Sequence, residues 1–216
     1  ANDEEQPLFE LKQYLSSLGF NQCYNNSLQD IEEVKAFGIN PVSVMNPSSE
    51  RMNTLRTTLH RGLLENLDFN FKNGSADTLI YEHGTVFEKK GDTLKDIDQV
   101  SNFSCLVHGN FYEKNVHFND VESNFFLLKG IATNAFETLT KAKVKFIKDE
   151  NSYCDVFYRI VDNKKNTVGS IGVIANSFLD KLDIAHKTDV CVMDINTTFF
   201  TEHFNHSVKV KDVILY

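Results

Sequence analysis

Tryptophan is absent from this chain of 216 residues, and proline occurs only three times. So little proline excludes a polyproline linker or a collagen-like stretch. No apolar run approaches the roughly 20 residues that a membrane-spanning helix needs. Basic charge is in deficit: 22 Lys and Arg against 30 Asp and Glu leave a formal net charge of −8. Such a surface repels phosphate backbones on average and argues against a sequence-blind nucleic-acid binder. The cysteines, Cys23, Cys105, Cys154 and Cys191, are far apart and form no C-x-x-C pair. Their spacing suits neither a zinc knuckle nor a disulfide framework, and they are expected to be buried free thiols in a reducing compartment. There is no Gly-x-Gly, and the arginines are limited to Arg51, Arg56, Arg61 and Arg159.

What is present is an ample supply of core. The chain is 41% hydrophobic, with 18 Phe and 7 Tyr, enough for one aromatic-rich domain and short for two. Residues 1–216 are therefore expected to form a single module. The acidic lead Asn2-Asp3-Glu4-Glu5 without an initiating Met, and the apolar end Val210 to Tyr216, suggest a piece excised from a longer polypeptide. Asn-x-Ser/Thr sequons begin at Asn25, Asn73, Asn102, Asn196 and Asn205; no signal peptide accompanies them, and composition explains them.

Periodicity places the elements. Pro7 suits a helix start, and Leu8, Leu11, Leu15 and Leu18 make a 3-4-3 stripe ending at Gly19. Phe9 and Tyr14 lie off that stripe, so this helix is expected to touch a partner as well as its own sheet. Phe20 to Leu28 is strand-like, Asp30 to Gly38 an acidic loop with a helical turn, and Val42 to Asn46 a short strand. A second helix is expected over Thr58 to Lys72, closed by Asn73-Gly74. Gly62 inside it costs about 1 kcal/mol against Ala, which suggests close approach of another backbone. Strands follow at Leu79 to Lys89 and Gln99 to Phe111, then a third helix at Asn124 to Thr140. Four more strands are expected at Lys143 to Lys148, Tyr153 to Asp162, Thr167 to Ala175 and Val190 to Ile195. Short helices are expected at Ser177 to Leu182 and Thr197 to Phe204. Hairpin-linked strands with helices at intervals give an α+β class, a largely antiparallel sheet flanked by helices.

The stretch Asn46 to Phe87 narrows this further. It contains Asn46-Pro47-Ser48-Ser49-Glu50, then Leu55-Arg56-Thr57 running into Leu59-x-x-Gly62-Leu63-Leu64, then Tyr81-Glu82-His83-Gly84-Thr85-Val86-Phe87. This order resembles the bacterial phenylalanyl-tRNA synthetase beta subunit family, whose pattern runs NPxSxE, LRTxLxxGLL, an Asn in the helix, then FExGxxF. Asn124 to Gly130 is similar to the family's DFFDLKG, with Asn124 and Leu127 in place of two aspartates. Gly169 to Ile184 resembles GxIGxxHPxxLxxLDL, with Ala175-Asn176 at the His-Pro position. Val190 to Ile195 resembles the closing strand, with Asp194 in the acidic place. The resemblance spans roughly residues 6 to 200.

The resemblance implies a core related to class II aminoacyl-tRNA synthetases. It also implies an alpha-subunit partner in an alpha2beta2 heterotetramer, tRNA(Phe) as a partner of the whole enzyme, and a cytoplasmic setting without a membrane. ATP and magnesium are implied for the whole enzyme, and no cofactor for this piece. Editing, magnesium-module and anticodon domains belong to regions not included here.

Adenylate formation needs cations at the phosphates to stabilise the leaving pyrophosphate. Class II enzymes supply an arginine from a hairpin and another from a Gly-x-Gly-x-x-Arg motif. Neither arrangement occurs here, and Gly169-x-x-Gly172 is followed by no arginine. No residue is therefore expected to be catalytic. Arg56 precedes a helix, where anions are favoured, yet Glu82 shares a strand face with Ile80 and Val86 and needs a bidentate partner. A structural Arg56–Glu82 ion pair is the expectation. Leu8, Phe9, Leu11, Tyr14 and Leu15 are the expected subunit-contact residues, together with the Leu59 to Phe71 helix. His203 and His206 lack a third ligand and are expected on a helix surface; no metal site is expected. His83 is expected to be a satisfied core or interface histidine, while His108 and His117 carry no expected role. Lys141, Lys143, Lys145 and Lys148 are expected on a solvated strand face. The rival functions are a stand-alone nucleotide-binding ligase and a direct tRNA-binding module.

Overall fold

The computed structural model describes residues 5–47, 49–91, 93–112, 119–140 and 142–205. Ser48, Lys141, His117, His206, the lead residues Asn2 to Glu4 and the run Val210 to Tyr216 lie outside the described residues.

Chain order runs α1 (Glu5–Ser17), β1 (Asn21–Gln22), β2 (Leu28–Gln29), α2 (Ile31–Lys35), β3 (Val42–Ser43), β4 (Thr54–Leu55) and α3 (His60–Lys72). It continues with β5 (Thr78–Lys89), a 3-10 turn at Leu94–Asp96, β6 (Ile97–His108), β7 (Asn110–Tyr112), β8 (Val121–Glu122) and α4 (Phe125–Leu139). The last elements are β9 (Lys145–Lys148), β10 (Cys154–Val161), β11 (Thr167–Ile174), α5 (Asn176–Lys181), β12 (Cys191–Asn196) and α6 (Thr197–Glu202).

Seven strands make the central sheet in the order β1-β5-β6-β12-β11-β10-β9. All its pairings are antiparallel except β1 with β5. The α+β, largely antiparallel expectation therefore matches a mixed sheet with one parallel edge pair. Small sheets of β2-β4-β3 and β7-β8 sit beside it.

Strand side chains alternate between faces, and each face has its own core. On one, Phe103, Cys105, Val107, Met193 and Ile195 pack with Leu11 and Leu15 of α1, Leu128 to Leu139 of α4 and Phe200 of α6. On the other, Ile80, Leu106, Val192 and Ile174 pack with Leu63, Leu64 and Leu67 of α3 and Phe178 and Leu179 of α5.

Local chemistry explains several element ends. Thr58 Oγ1 accepts from His60 N at 3.1 Å at the start of α3, and Gly74 follows its end at φ +89°, where a side chain would be strained. Asn124 Oδ1 accepts from Leu127 N at 3.0 Å and caps α4. Asparagine caps as well as aspartate, so the substitution keeps that helix start. In the β10–β11 hairpin, Asp162 accepts from Lys164 N, Asn166 N and Asn166 Nδ2.

Two expectations fail. Phe20 to Leu28 is not one strand: only Asn21–Gln22 and Leu28–Gln29 pair, because the backbone between them turns inward to meet Glu82. Leu11 and Leu15 are 0% exposed within this chain's own core. They have no surface to offer a partner, which corrects their assignment as subunit-contact residues.

Candidate functional site

Within Asn46 to Phe87, Arg56, Gly62, Glu82 and Gly84 meet around Asn25 beside α3, while Asn46, Pro47, Ser49 and Glu50 are exposed. Arg56 and Glu82 are 6% and 2% exposed, and Arg56 Nη1 lies 2.6 Å from Glu82 Oε1. Arg56 Nε donates to Thr85 O at 2.8 Å and Nη1 also reaches Asn25 O at 3.4 Å. Glu82 takes two further donors, Asn25 N at 3.2 Å and Asn25 Nδ2 at 2.7 Å. Asn66, in the second turn of α3, donates its Nδ2 to Asn25 Oδ1 at 3.0 Å. A buried charge pair is tolerable when its remaining donors and acceptors are met, and here backbone and amide groups meet them.

The motif glycines belong to the same cluster. A Cβ on Gly84 would collide with Arg56 Nη2, so the guanidinium can lie flat against the strand only because that side chain is missing. A Cβ on Gly62 would stand 2.7 Å from Asn25 Cβ and 2.8 Å from Asn25 Cγ. The close neighbour of Gly62 is thus a side chain, which corrects the expectation of a backbone approach.

A second polar group lies further along the same sheet face. Register places Glu82 opposite Ser104, Ser104 opposite Asp194, Asp194 opposite Ser170, and Ser170 opposite Arg159. His60, from the first turn of α3, projects onto this row with Nε2 3.2 Å from Asp194 Oδ2. Its Nδ1 meets the Tyr153 hydroxyl at 3.1 Å, and the Ser104 hydroxyl donates to Asp194 Oδ1. Burial alone would raise the Asp194 carboxyl; His60, Ser104 and Ser170 outweigh it and hold the group below the usual carboxylate range. Burial, with Asp194 and Cys154 nearby, raises the Tyr153 phenol. Neither His60 nor Tyr153 stands out in the sequence; His60's position one residue after Leu59, on a helix facing a strand carboxylate, is the only signal.

The other sequence candidates are accounted for singly. His83 is half-buried, stacks on Phe103 and meets Ser101 Oγ at 3.0 Å; burial, then Lys12 and Arg56, hold its imidazole below the ordinary value. His108 is fully buried and ties Ala76 O to the Lys187 backbone. His203 is exposed and stacks on Phe199. Lys143, Lys145 and Lys148 are exposed while Val144 and Phe146 turn inward. Phe9 is 55% exposed and Leu8 half-buried; Tyr14 is half-buried, its hydroxyl donating to Ile131 O across to α4. All four cysteines are free. Among the described residues no group of three His, Cys, Asp or Glu could hold a metal ion, and no helix is long and apolar enough to cross a membrane.

The family model described as "Phenylalanyl tRNA synthetase beta chain CLM domain" matches residues 2–197. The phenylalanine–tRNA ligase beta subunit of Lactococcus lactis subsp. lactis is 30% identical over 185 residues, 84% of this chain and 23% of that protein. The beta subunit of Thermotoga maritima is 26% identical over 192 residues, covering 85% of this chain and 24% of its own length. That of Syntrophus aciditrophicus is 23% identical over 220 residues, covering 95% and 26%. The chain thus spans about a quarter of the length of the curated relatives it matches.

Proposed function

Because the chain belongs to the phenylalanyl-tRNA synthetase beta chain CLM domain family, we propose that it is a non-catalytic, class II-like core module of a phenylalanine–tRNA ligase. Its role is to dock on the catalytic alpha subunit and hold the rest of an alpha2beta2 enzyme in register. One observation carries this reading: Arg56, the arginine of the motif, is buried against Glu82, and two of the other three arginines also face carboxylates. Arg56 is engaged by Glu82, Arg61 by Glu33 and Glu65, and Arg159 by Asp149. Arg51 remains, exposed on the turn beside Ser49. Charge building on a leaving pyrophosphate needs preorganised cations, and a guanidinium buried against its own carboxylate cannot turn to supply one.

On this reading ATP and magnesium serve the whole enzyme and are held elsewhere, tRNA(Phe) is met through the assembly, and the setting is the cytoplasm. Phe9 on α1 and Phe69 on α3, both broadly exposed, are the contact residues, with Leu8 beside Phe9. The test mixes the chain with a phenylalanine–tRNA ligase alpha subunit and follows co-elution and ATP–pyrophosphate exchange. Co-elution that weakens with Phe9→Ser or Phe69→Ser, with no exchange by the chain alone, is expected. Exchange catalysed by the chain alone, salt-sensitive tRNA binding by the chain alone, or failure to co-elute refutes the proposal.

A further inference from the structure

Only one of the chain's asparagines is followed by glycine, Asn73 before Gly74. In such a pair the backbone nitrogen of the second residue can attack the side-chain amide carbon of the first, because no Cβ stands beside that nitrogen. The pair sits where α3 ends. Asn73 is its C-cap, at φ −95° and ψ 13°, and Gly74 follows at φ +89°. Both are exposed, and a Cβ on Gly74 would find nothing within 4 Å, so the turn stands clear of the rest of the fold on that side.

Hydrogen bonds engage both reacting groups in the folded turn. Asn73 Nδ2 donates to Phe69 O at 2.7 Å, which holds the amide back along the helix. Gly74 N donates to Phe71 O at 3.1 Å, and Ser75 N to Asn70 O at 2.9 Å, the bonds of a Schellman close. All of them belong to the last turn of a helix, which opens at far lower cost than the domain unfolds. Other asparagines are worse placed. Asn26 and Asn151 precede serine, whose Cβ hinders attack, and their side-chain oxygens are held by Leu28 N and Tyr153 N. Asn176, also before serine, lies within α5.

We propose that Asn73–Gly74 is a self-modifying site that reacts when the last turn of α3 frays. Gly74 N bonds to Asn73 Cγ, the bond from Cγ to Nδ2 breaks, and the Gly74 amide proton leaves with that nitrogen as ammonia. The product is a cyclic imide. Water then adds at one of its carbonyls: opening at Cγ gives aspartate, and opening at the Asn73 backbone carbonyl gives isoaspartate, with the chain routed through the side chain. Either product puts a carboxylate at the negative pole of α3. Isoaspartate also adds a methylene to the backbone inside the loop that the Schellman bonds close, so conversion loosens the end of the helix. The reaction needs only water, and it does not rest on the subunit role proposed above.

The test holds the 216-residue chain in warm, mildly alkaline buffer, digests it at intervals and follows its peptides by mass spectrometry, with heavy-oxygen water marking each hydrolysed imide. Conversion at Asn73 is expected before that of any other asparagine, and about tenfold more slowly in the folded chain than in urea, where no turn restrains it. In urea, Gly74→Ala should slow it by about tenfold or more; there the strain of a side chain at φ +89° plays no part. The converted chain, separated by its extra negative charge, should exchange the Gly74 and Ser75 amide hydrogens several-fold faster than the parent while the amides of β6 keep their protection. An intact Asn73 in the folded chain once the unfolded chain has reacted overturns the proposal, as does earlier reaction at another asparagine. Equal rates folded and unfolded, an undiminished rate in Gly74→Ala, or unchanged exchange at Gly74 and Ser75 after conversion would also overturn it.

Discussion

Replacing Arg56 with alanine tests the central structural argument. The substitution leaves Glu82, 2% exposed, with the Asn25 N and Nδ2 donors but without its countercharge, and strands Thr85 O, which had accepted from Arg56 Nε. Removing one member of a buried, hydrogen-bonded pair typically costs about 3–5 kcal/mol, a large part of the roughly 5–15 kcal/mol that holds a domain together. For a chain of this length about 2–4 °C of Tm is lost per kcal/mol, so a fall of roughly 6–20 °C is expected. With no tryptophan in the sequence, the assay is far-UV circular dichroism, by heating and by urea titration. The companion variant Arg56→Met/Glu82→Leu should recover most of the loss, because the double replacement leaves no buried charge. A single-variant loss below about 1 kcal/mol, the range of an exposed pair, would refute the account of Arg56 as an internal strut. So would a double variant no more stable than Arg56→Ala.

Other outcomes follow from neighbouring geometry. Gly84→Ala should displace the Arg56 guanidinium and cost about 2–4 kcal/mol by urea titration, with far less than additive loss in the Arg56→Ala background. On α1, Leu11→Ala should cost about 2–5 kcal/mol and Phe9→Ala under about 0.5 kcal/mol, since one side chain is fully buried and the other mostly exposed; equal losses would contradict the packing described. Asp194 has a depressed carboxyl in the folded chain, so its stabilisation is present above the ordinary carboxylate value and is lost as pH falls through the folded one. Urea midpoints measured downward from about pH 5 should fall less steeply in Asp194→Asn than in the parent, and parallel curves would exclude the effect. Burial raises the Cys154 and Cys191 thiols to about 12 and pushes Cys105 and Cys23 up as well; Ellman's reagent at neutral pH should label the native chain slowly and the urea-unfolded chain at once. Rapid native labelling of Cys105 or Cys191 would contradict that burial.

How far the sequence discloses all this depends on how local the cause is. The helices over Glu5–Ser17, His60–Lys72 and Phe125–Leu139 and the long strands were legible because apolar periodicity and end residues such as Asn73-Gly74 and Asn124 act within a few positions. The Arg56–Glu82 contact was reachable because a carboxylate on an inward strand face demands a countercharge, and the chain has few arginines. Asn25 was not reachable: its part depends on a chain segment folding back across both Glu82 and Gly62, which no local pattern encodes. The same nonlocality misled the assignment of α1. A 3-4-3 leucine stripe marks an apolar face but does not say whether that face meets the chain's own sheet or another protein, and here Leu11 and Leu15 meet the sheet.

The polar row across the second sheet face raises a question of energetics that bears on function. Glu82, Ser104, Asp194, Ser170 and Arg159 cross five strands in register, where apolar side chains like the adjoining Ile80, Leu106 and Val192 would pack at lower cost. An apolar contact is tolerant of sliding, whereas the His60 Nε2–Asp194 contact, the His60–Tyr153 hydrogen bond, the Arg56–Glu82 pair and the bonds from Asn66 through Asn25 to Glu82 hold at one position only. Together they fix the N-terminal half of α3 along its own axis and against the sheet. That is the property a docking scaffold needs, since the exposed outer side of the same helix, with Phe69 and Glu65, is then presented at a set height above the strands. At the Glu82 end the row is buried, Glu82 and Ser104 being 2% and 0% exposed, and there the polar groups bind the chain to itself.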